Sequence, residues 1–157
     1  MKITLLSIGK TTDSYLLEGM NKYLQRIKHY IVFKTVELPE LKNTKSLSQE
    51  QQKSKEATLI LKNVSSTDHL ILLDERGQEL SSVNFSALLN KKMVGGTQHL
   101  VFVIGGPYGF DPCIYNRANY QISLSKMTFS HQMVRLFFVE QLYRAYTILK
   151  GEPYHHQ

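Results

Sequence analysis

Three turns that follow apolar segments carry the residues best suited to holding a small ligand. The most apolar segment, residues 100–104, runs directly into Gly105 and Gly106. A second apolar segment ends at Leu73 and a third at Leu124. If all three segments are parallel strands, their carboxyl ends meet at one edge of a sheet, where open α/β sheets bind ligands. The turns carry few charges, which favours a neutral or zwitterionic ligand over a triphosphate.

The glycine turn at residues 105–109 has two interpretations. Glycine after a buried strand lets a ligand approach the backbone closely, but an ordinary tight turn uses the same residues. Its sequence, Gly-Gly-Pro-Tyr-Gly, matches neither Gly-x-Gly-x-x-Gly nor Gly-x-x-x-x-Gly-Lys-Ser/Thr. We therefore expect neither a Rossmann dinucleotide site nor a P-loop.

The histidines offer weaker patterns. His131 follows Ser130, but no Gly-x-Ser-x-Gly surrounds the pair and no acidic partner is placed beside it. Helix capping therefore explains the pair better than nucleophilic catalysis. Tyr154, His155 and His156 lie beyond the last predicted helix, in a tail whose residues are by themselves typical of disorder. No Cys or His pair has the spacing of a shared metal site, so we expect no metal.

The hydrophobic pattern predicts the framework that would position these residues. Continuously apolar strands alternate with amphipathic helices, which is typical of an α/β sandwich with a mostly parallel sheet, here one domain over residues 1–157. We expect strands at 3–8, 31–38, 69–73, 100–104 and 120–124, the third ending at Asp74 before a turn at Arg76 and Gly77. We expect helices after a cap at Asp13, over about 48–62, from a cap at Ser82 to about 93, from a cap at Asp111, and over about 130–150.

The last predicted helix is apolar on almost every side. A helix without a polar face needs more cover than the sheet of one small chain provides. We infer a homodimer interface, with a central core helix in a monomer as the alternative. Among its polar residues, Glu140 is spaced to pair with Arg144 at i, i+4.

Composition narrows the class of protein. The 157 residues carry 19 Lys and Arg against 13 Asp and Glu, a net charge of +6, and five of these six excess positive charges fall in residues 1–63. A polyanion gripped by the N-terminal part would fit this distribution, as would a solvated lysine-rich helix. One Cys excludes an internal disulfide, and no apolar run is long enough for a bilayer span. We expect a cytoplasmic protein without a signal peptide.

Four sequence motifs, which occur in a fixed order along the chain, are specific enough to indicate a family. Together with the start of the chain they resemble a small family of SPOUT-class methyltransferases, which methylate N3 of a pseudouridine in 23S rRNA of the large ribosomal subunit. The likeness spans the whole chain and keeps the relative spacing of the motifs. They lie at residues 102–109, 124–135, 140–145 and 151–155.

The resemblance implies an α/β fold with a C-terminal trefoil knot, a homodimer, S-adenosylmethionine as methyl donor and the assembled ribosome as substrate. The periodicity of the strands does not show whether the chain passes through a loop, so the knot is expected only from the resemblance. The family's cofactor positions correspond to residues at the three turns named above: Leu73, Gly105, Leu124, Ser125, Lys126, Met127, Thr128 and Phe129.

Methyl transfer to an imide nitrogen needs a group that removes the nitrogen's proton or a cation that stabilises the anion. The candidates are His155 and Tyr154 in the tail, with Arg135 or Arg144 as the cation, and the tail would close over the partner subunit's cavity. For RNA phosphates we expect Lys10, Lys22, Arg26, Lys126 and Arg135. The alternatives are a methyltransferase acting on another RNA base, a non-catalytic RNA-binding α/β module, and a nucleotide-dependent oxidoreductase or hydrolase.

Overall fold

A computed structural model describes residues 1–156 and contains one five-stranded parallel sheet. The strands are β1 (Lys2–Ile8), β2 (Val32–Leu38), β3 (His69–Glu79), β4 (His99–Ile104) and β5 (Tyr120–Ser123). Their order across the sheet is β2-β1-β4-β3-β5, and every neighbouring pair is parallel. The predicted α/β class is confirmed, with most strand bounds within one residue of the expected ones.

Helices cover both faces of this sheet, as continuously apolar strands require. They are α1 (Ser14–Ile27), α2 (Gln49–Lys62), α3 (Ser82–Val94), α4 (Pro112–Arg117) and α5 (His131–Lys150), with a short 3-10 turn at Thr44–Ser46. Helix α5 packs between α1 and α3 on one face, and α2 packs against α4 on the other.

Alternation along the central strand β4 separates the two cores. Phe102 faces Phe138 of α5, with ring centroids 4.7 Å apart, whereas Val101 and Val103 face the α2 side. All three side chains are almost completely buried. The sheet is therefore fixed between two apolar layers, and only its strand ends are free to form a site.

Local side-chain bonds set where the helices begin. Ser48 forms a capping box with Gln51 at the start of α2, and Asp111 accepts a bond from the Cys113 N–H at the start of α4. Asp13 stands at the predicted cap of α1 but its side chain makes no capping bond. Ser130 caps α5, and Gly151 ends that helix with a left-handed φ of 67°.

The cap of α3 is a correction. Ser81, one residue before the expected Ser82, accepts the bond from the Asn84 N–H at 3.1 Å. Ser82 instead donates to Gln141 Oε1 of α5 at 2.7 Å. Adjacent serines both fit the capping pattern, and the contact with α5 decides between them.

The end of β3 is a second correction. Instead of ending at Asp74, the strand leaves the ladder after Leu73 and pairs again at Gln78, so that both residues oppose Ile122 of β5. The four intervening residues form a bulge in the strand. A Cβ at Gly77 would lie 2.5 Å from the carbonyl carbon of Ile122, so only glycine lets the strand rejoin its neighbour.

The chain after β5 crosses back over the sheet. Strand β5 lies at the edge beside β3, yet the next element, α5, packs between α1 and α3 and reaches the central strand β4. Within residues 1–156, no helix combines the length and hydropathy needed to span a bilayer.

Candidate functional site

A cavity of about 320 Å³ lies at the carboxyl ends of β3, β4 and β5. The bulge after Leu73, the glycine turn, the turn after β5 and the start of α5 form its walls. Seven of the eight residues predicted for a cofactor line it together: Leu73, Gly105, Leu124, Ser125, Met127, Thr128 and Phe129. Lys126 does not, because its side chain is 87% exposed and its Nζ lies 3.7 Å from Glu79 Oε1.

The glycine turn is folded back on itself. Gly106 pairs with Gly109, whose N–H donates to the Gly106 carbonyl at 3.2 Å and whose φ is +81°. A Cβ at Gly105 would lie 3.1 Å from the ring of Phe110. The turn therefore presents bare backbone to the cavity, which fits the first of the two interpretations that the sequence left open.

Asp74 is one of two adjacent acidic residues in the cavity wall, the other being Glu75. Its Oδ1 accepts from the Arg76 N–H at 2.8 Å, and its Oδ2 accepts from the Tyr115 hydroxyl. Burial, together with this hydrogen bond, raises the pKa of Tyr115 to about 12, so the phenol stays a donor at neutral pH. Sequence reasoning marked the strand end at Asp74 but missed Tyr115, because their contact joins residues 41 positions apart.

The turn after β5 is held by its own serines. Ser123 donates to the Ser125 carbonyl at 2.8 Å, and Ser125 Oγ accepts from the Met127 N–H at 2.9 Å. Met127, 74% exposed, and Tyr108, 46% exposed, present apolar surface at the mouth of the cavity. His131 also lines the cavity, so the residue expected only to cap α5 belongs to the site.

A second cavity of about 350 Å³ adjoins the first and shares part of the turn after β5. Phe85 of α3, Phe129 just before α5 and Phe137 on α5 give it an apolar wall. None of the apolar side chains of α5 is strongly exposed, although several, including Phe137, are half-buried.

Arg135 is placed differently from the expected cation. Its guanidinium is 3% exposed and donates to the carbonyl of Ile8 at 2.8 Å, the carbonyl of Gly9 at 3.0 Å and Thr11 Oγ1 at 3.0 Å. It does not line the cavity. In this position it clamps the carboxyl end of β1 to α5, and burial lowers its pKa.

The tail candidates form a network at the other end of α5. Arg144 pairs with Glu140 at 2.5 Å, which confirms the expected i, i+4 pair, and its guanidinium stacks over the Tyr154 ring at 4.6 Å. The Tyr154 hydroxyl donates to Glu140 Oε1 at 3.0 Å. Arg144 Nη1 lies 3.3 Å from His155 Nδ1, and His155 Nε2 is buried without a partner. His156 is exposed.

The two groups of predicted residues are thus separated within one chain. Arg144 lies thirteen residues beyond His131, which is about 20 Å along the helix axis. His131 borders the cavity, and the tail network gathers around Arg144. Tyr154 and His155 therefore do not reach the cavity of their own chain.

The predicted RNA-contacting cations lie on the surface, with the exception of Arg135. Lys10, Lys22, Arg26 and Lys126 are all exposed. Arg26 stacks over the ring of Tyr143, 5.4 Å from its centroid. Within residues 1–156, no group of three or more His, Cys, Asp or Glu side chains is placed to share a metal ion.

Comparison with known proteins gives one consistent result. A family model described as a predicted SPOUT methyltransferase matches residues 1–155. Three similar relatives, each named "Ribosomal RNA large subunit methyltransferase H", come from Christiangramia forsetii (58% identical), Flavobacterium johnsoniae (57%) and Parabacteroides distasonis (55%). In each case the match covers 100% of this chain and 100% of the relative.

Proposed function

The chain belongs to the SPOUT methyltransferase family, and from this membership we propose that it transfers a methyl group from S-adenosylmethionine to N3 of a pseudouridine in 23S rRNA of the assembled ribosome. The observation that carries the proposal is the meeting of three turns, far apart in sequence, around one cavity. Relatives named for an rRNA of the large subunit support the choice of substrate. The reaction would take place in the cytoplasm, where ribosomes are found.

The cavity suits the proposed methyl donor. Its volume of about 320 Å³ falls at the small end of the range of about 300–1,000 Å³ for ligand pockets. The glycine turn leaves room for an adenine or ribose against bare backbone, and the serine-held turn after β5 offers further backbone groups. Leu73, Gly105 and the residues around Ser125 would hold the ligand. When bound, S-adenosylmethionine supplies a methyl group already activated by its sulfonium, so the protein contributes position and electrostatics.

The acceptor side of the reaction needs groups that stabilise negative charge. The imide proton of N3 must leave, here to water, and the resulting anion spreads onto the flanking carbonyl oxygens. We assign this stabilisation to His155 and Tyr154, with Arg144 as the cation in place of Arg135, whose guanidinium is bound to carbonyls of β1. Burial raises the pKa of Tyr154, so its hydroxyl donates a proton in hydrogen bonds and is no base at neutral pH.

Arg144 decides the tautomer of His155. A guanidinium only donates, so a bond from Arg144 Nη1 makes His155 Nδ1 the acceptor and leaves the proton of a neutral ring on Nε2. His155 then presents an N–H donor and not a base. A buried donor without an acceptor is unfavourable by about 1–3 kcal/mol. An oxygen of the target base would relieve this once the tail moves enough to expose Nε2.

A second copy of the chain would complete the site. Because the tail lies about 20 Å from its own cavity along α5, we propose that it reaches the cavity of a partner in a homodimer. The half-buried apolar residues of α5, such as Phe137, and the adjoining second cavity provide surface for that contact. Exposed cations such as Lys10 and Lys22 would approach rRNA phosphates.

The test is direct. Purified protein is incubated with labelled S-adenosylmethionine and large ribosomal subunits from a strain that lacks the gene, and the nucleosides are analysed by mass spectrometry. The proposal predicts one new N3-methylpseudouridine in 23S rRNA. Methylation of another nucleotide would point to the alternative RNA substrate, and binding of RNA without any methyl transfer would contradict the enzymatic proposal.

A further inference from the structure

Glu56 is a buried acidic side chain that the proposed reaction does not use. It lies on the inner face of α2 and is 3% exposed. Neither of its carboxylate oxygens has a hydrogen-bond partner. Burial raises its pKa, and the nearby amide of Gln52, one turn earlier on α2, opposes that shift only in part because it does not reach hydrogen-bond geometry with either oxygen. Proteins almost always pair a buried carboxylate with a donor or a cation, and within residues 1–156 this one is bonded to neither.

The carboxylate lies against the glycine turn of the cavity. A Cβ placed on Gly106 would be 2.0 Å from Glu56 Oε2 and 2.7 Å from its carboxyl carbon. The acid therefore occupies the space that any other side chain at this position would fill. Gly106 itself lines the cavity. Gly106 therefore lies between the carboxylate and the cavity.

Other charged groups near this point are already engaged. On α4, which packs against α2, Asp111 accepts from the Cys113 N–H, and Arg117 donates to the carbonyls of Ser65 and Asp68. Lys53, on the same helix as Glu56, makes no ion pair with it. Across the cavity, Asp74 has both oxygens bonded. Glu75 and Arg76 also line the cavity. Within residues 1–156, Glu56 is the buried carboxylate at this edge whose oxygens have no hydrogen-bond partner.

We propose that Glu56 is a buried counter-charge for the cationic methyl donor, acting across Gly106, and that it makes the cavity favour S-adenosylmethionine over S-adenosylhomocysteine. This rests on the proposed function. The two ligands differ by the methyl group and by the positive charge of the sulfonium. A negative charge in a poorly solvated position attracts the first and is indifferent to the second. Loss of the charge on methyl transfer would therefore ease release of the product.

The discriminating experiment compares the two ligands by calorimetry on the intact chain. Glu56→Gln keeps the shape of the side chain and removes the charge, whereas Glu50→Gln removes a charge from the exposed start of the same helix. We expect Glu56→Gln to weaken the binding of S-adenosylmethionine by about tenfold. This is the size of a charge interaction across several ångströms of protein. The affinity of Glu56→Gln for S-adenosylhomocysteine should change by less than about twofold. Glu50→Gln should leave the affinities for both ligands unchanged.

A second measurement needs no variant. A cation beside Glu56 favours the ionised carboxyl, so binding of S-adenosylmethionine to the wild-type chain should release protons, as measured by titration in buffers of different ionisation enthalpy. S-adenosylhomocysteine should release none. The counter-charge role of Glu56 would be overturned if Glu56→Gln lost affinity for both ligands equally. Equal proton release on binding of the two ligands would overturn it as well. If the wild-type chain bound neither ligand, the proposed function would fail instead.

Discussion

His155 and Arg144 make the role of the tail testable at one side chain. If His155 donates through Nε2, then His155→Gln, which places an amide N–H near the same point, should keep the single-turnover rate within about tenfold of wild type. His155→Ala removes the donor and should cost about 100-fold, as loss of one oxyanion donor does. S-adenosylmethionine binding should be unchanged in both.

The same pair of variants separates a donor from a base. An imidazole acting as a base cannot be replaced by an amide, so equal loss in His155→Gln and His155→Ala would contradict the donor role. The exposed neighbour His156 gives the matched control, because His156→Ala should retain the wild-type rate.

Glu56 predicts a cost in stability. Because burial raises its pKa above the usual 4.5, the folded chain holds this proton more tightly than the unfolded chain does. Stability is therefore full below pH 4.5 and falls as the pH rises through the higher, folded-state pKa. Glu56→Gln lacks this loss, and without ligand at pH 8 it should be more stable than wild type by about 1–3 kcal/mol, the desolvation cost of an unpaired buried group.

Urea unfolding at pH 5 and pH 8 measures this difference, which should shrink at the lower pH. Glu50→Gln provides the reference, since an exposed carboxylate changes stability little. A Glu56→Gln chain less stable than wild type at pH 8 would mean that the carboxylate has a partner in the folded chain.

At the scale of elements, the start of α5 is both a helix end and a cavity wall. Ser130→Ala removes the hydrogen bond that the Met133 N–H donates to Ser130 Oγ and should lower the free energy of unfolding by about 1 kcal/mol. If the first turn frays by that amount, S-adenosylmethionine binding should weaken by about fivefold. Ser81→Ala removes the equivalent cap of α3, away from the cavity, and should cost similar stability without loss of affinity. Equal affinities in the two variants would show that the cap does not position the cavity.

The helices and strands were predictable wherever neighbouring residues in the sequence mark their ends. Apolar runs closed by Gly105 or Leu124 mark strand ends, and parallel ends must share an edge, so the cavity followed from the sequence. The bulge that ends at Gly77 was not predictable, because a glycine at this position is also typical of an ordinary turn. The reason for glycine is the nearby backbone of Ile122, which would lie 2.5 Å from a Cβ on Gly77. The buried position of Arg135 was not predictable for a similar reason, since its carbonyl partners lie more than 120 residues earlier in the chain.

At the scale of the whole molecule, the chain is small for reading an RNA sequence. Its excess positive charge gives sequence-independent attraction to phosphates, so selectivity should come from the shape of the ribosome around the target. We expect large subunits to be methylated at least about 100-fold faster than a short hairpin carrying the same nucleotides, a difference consistent with losing most phosphate contacts. Comparable rates of methyl transfer to both substrates would show that the protein reads the hairpin itself.

We propose that the cavity of one chain works with the tail of its partner, and mixed dimers test this arrangement most directly. Gly105→Val fills the cavity and His155→Ala removes the tail donor, so each homodimer should be nearly inactive. In a two-fold dimer, random mixing of equal amounts leaves one intact site in half of the dimers, and methyl transfer should recover to about a quarter of the wild-type rate. If the mixture stays as inactive as its components, each tail serves its own chain and the account is contradicted.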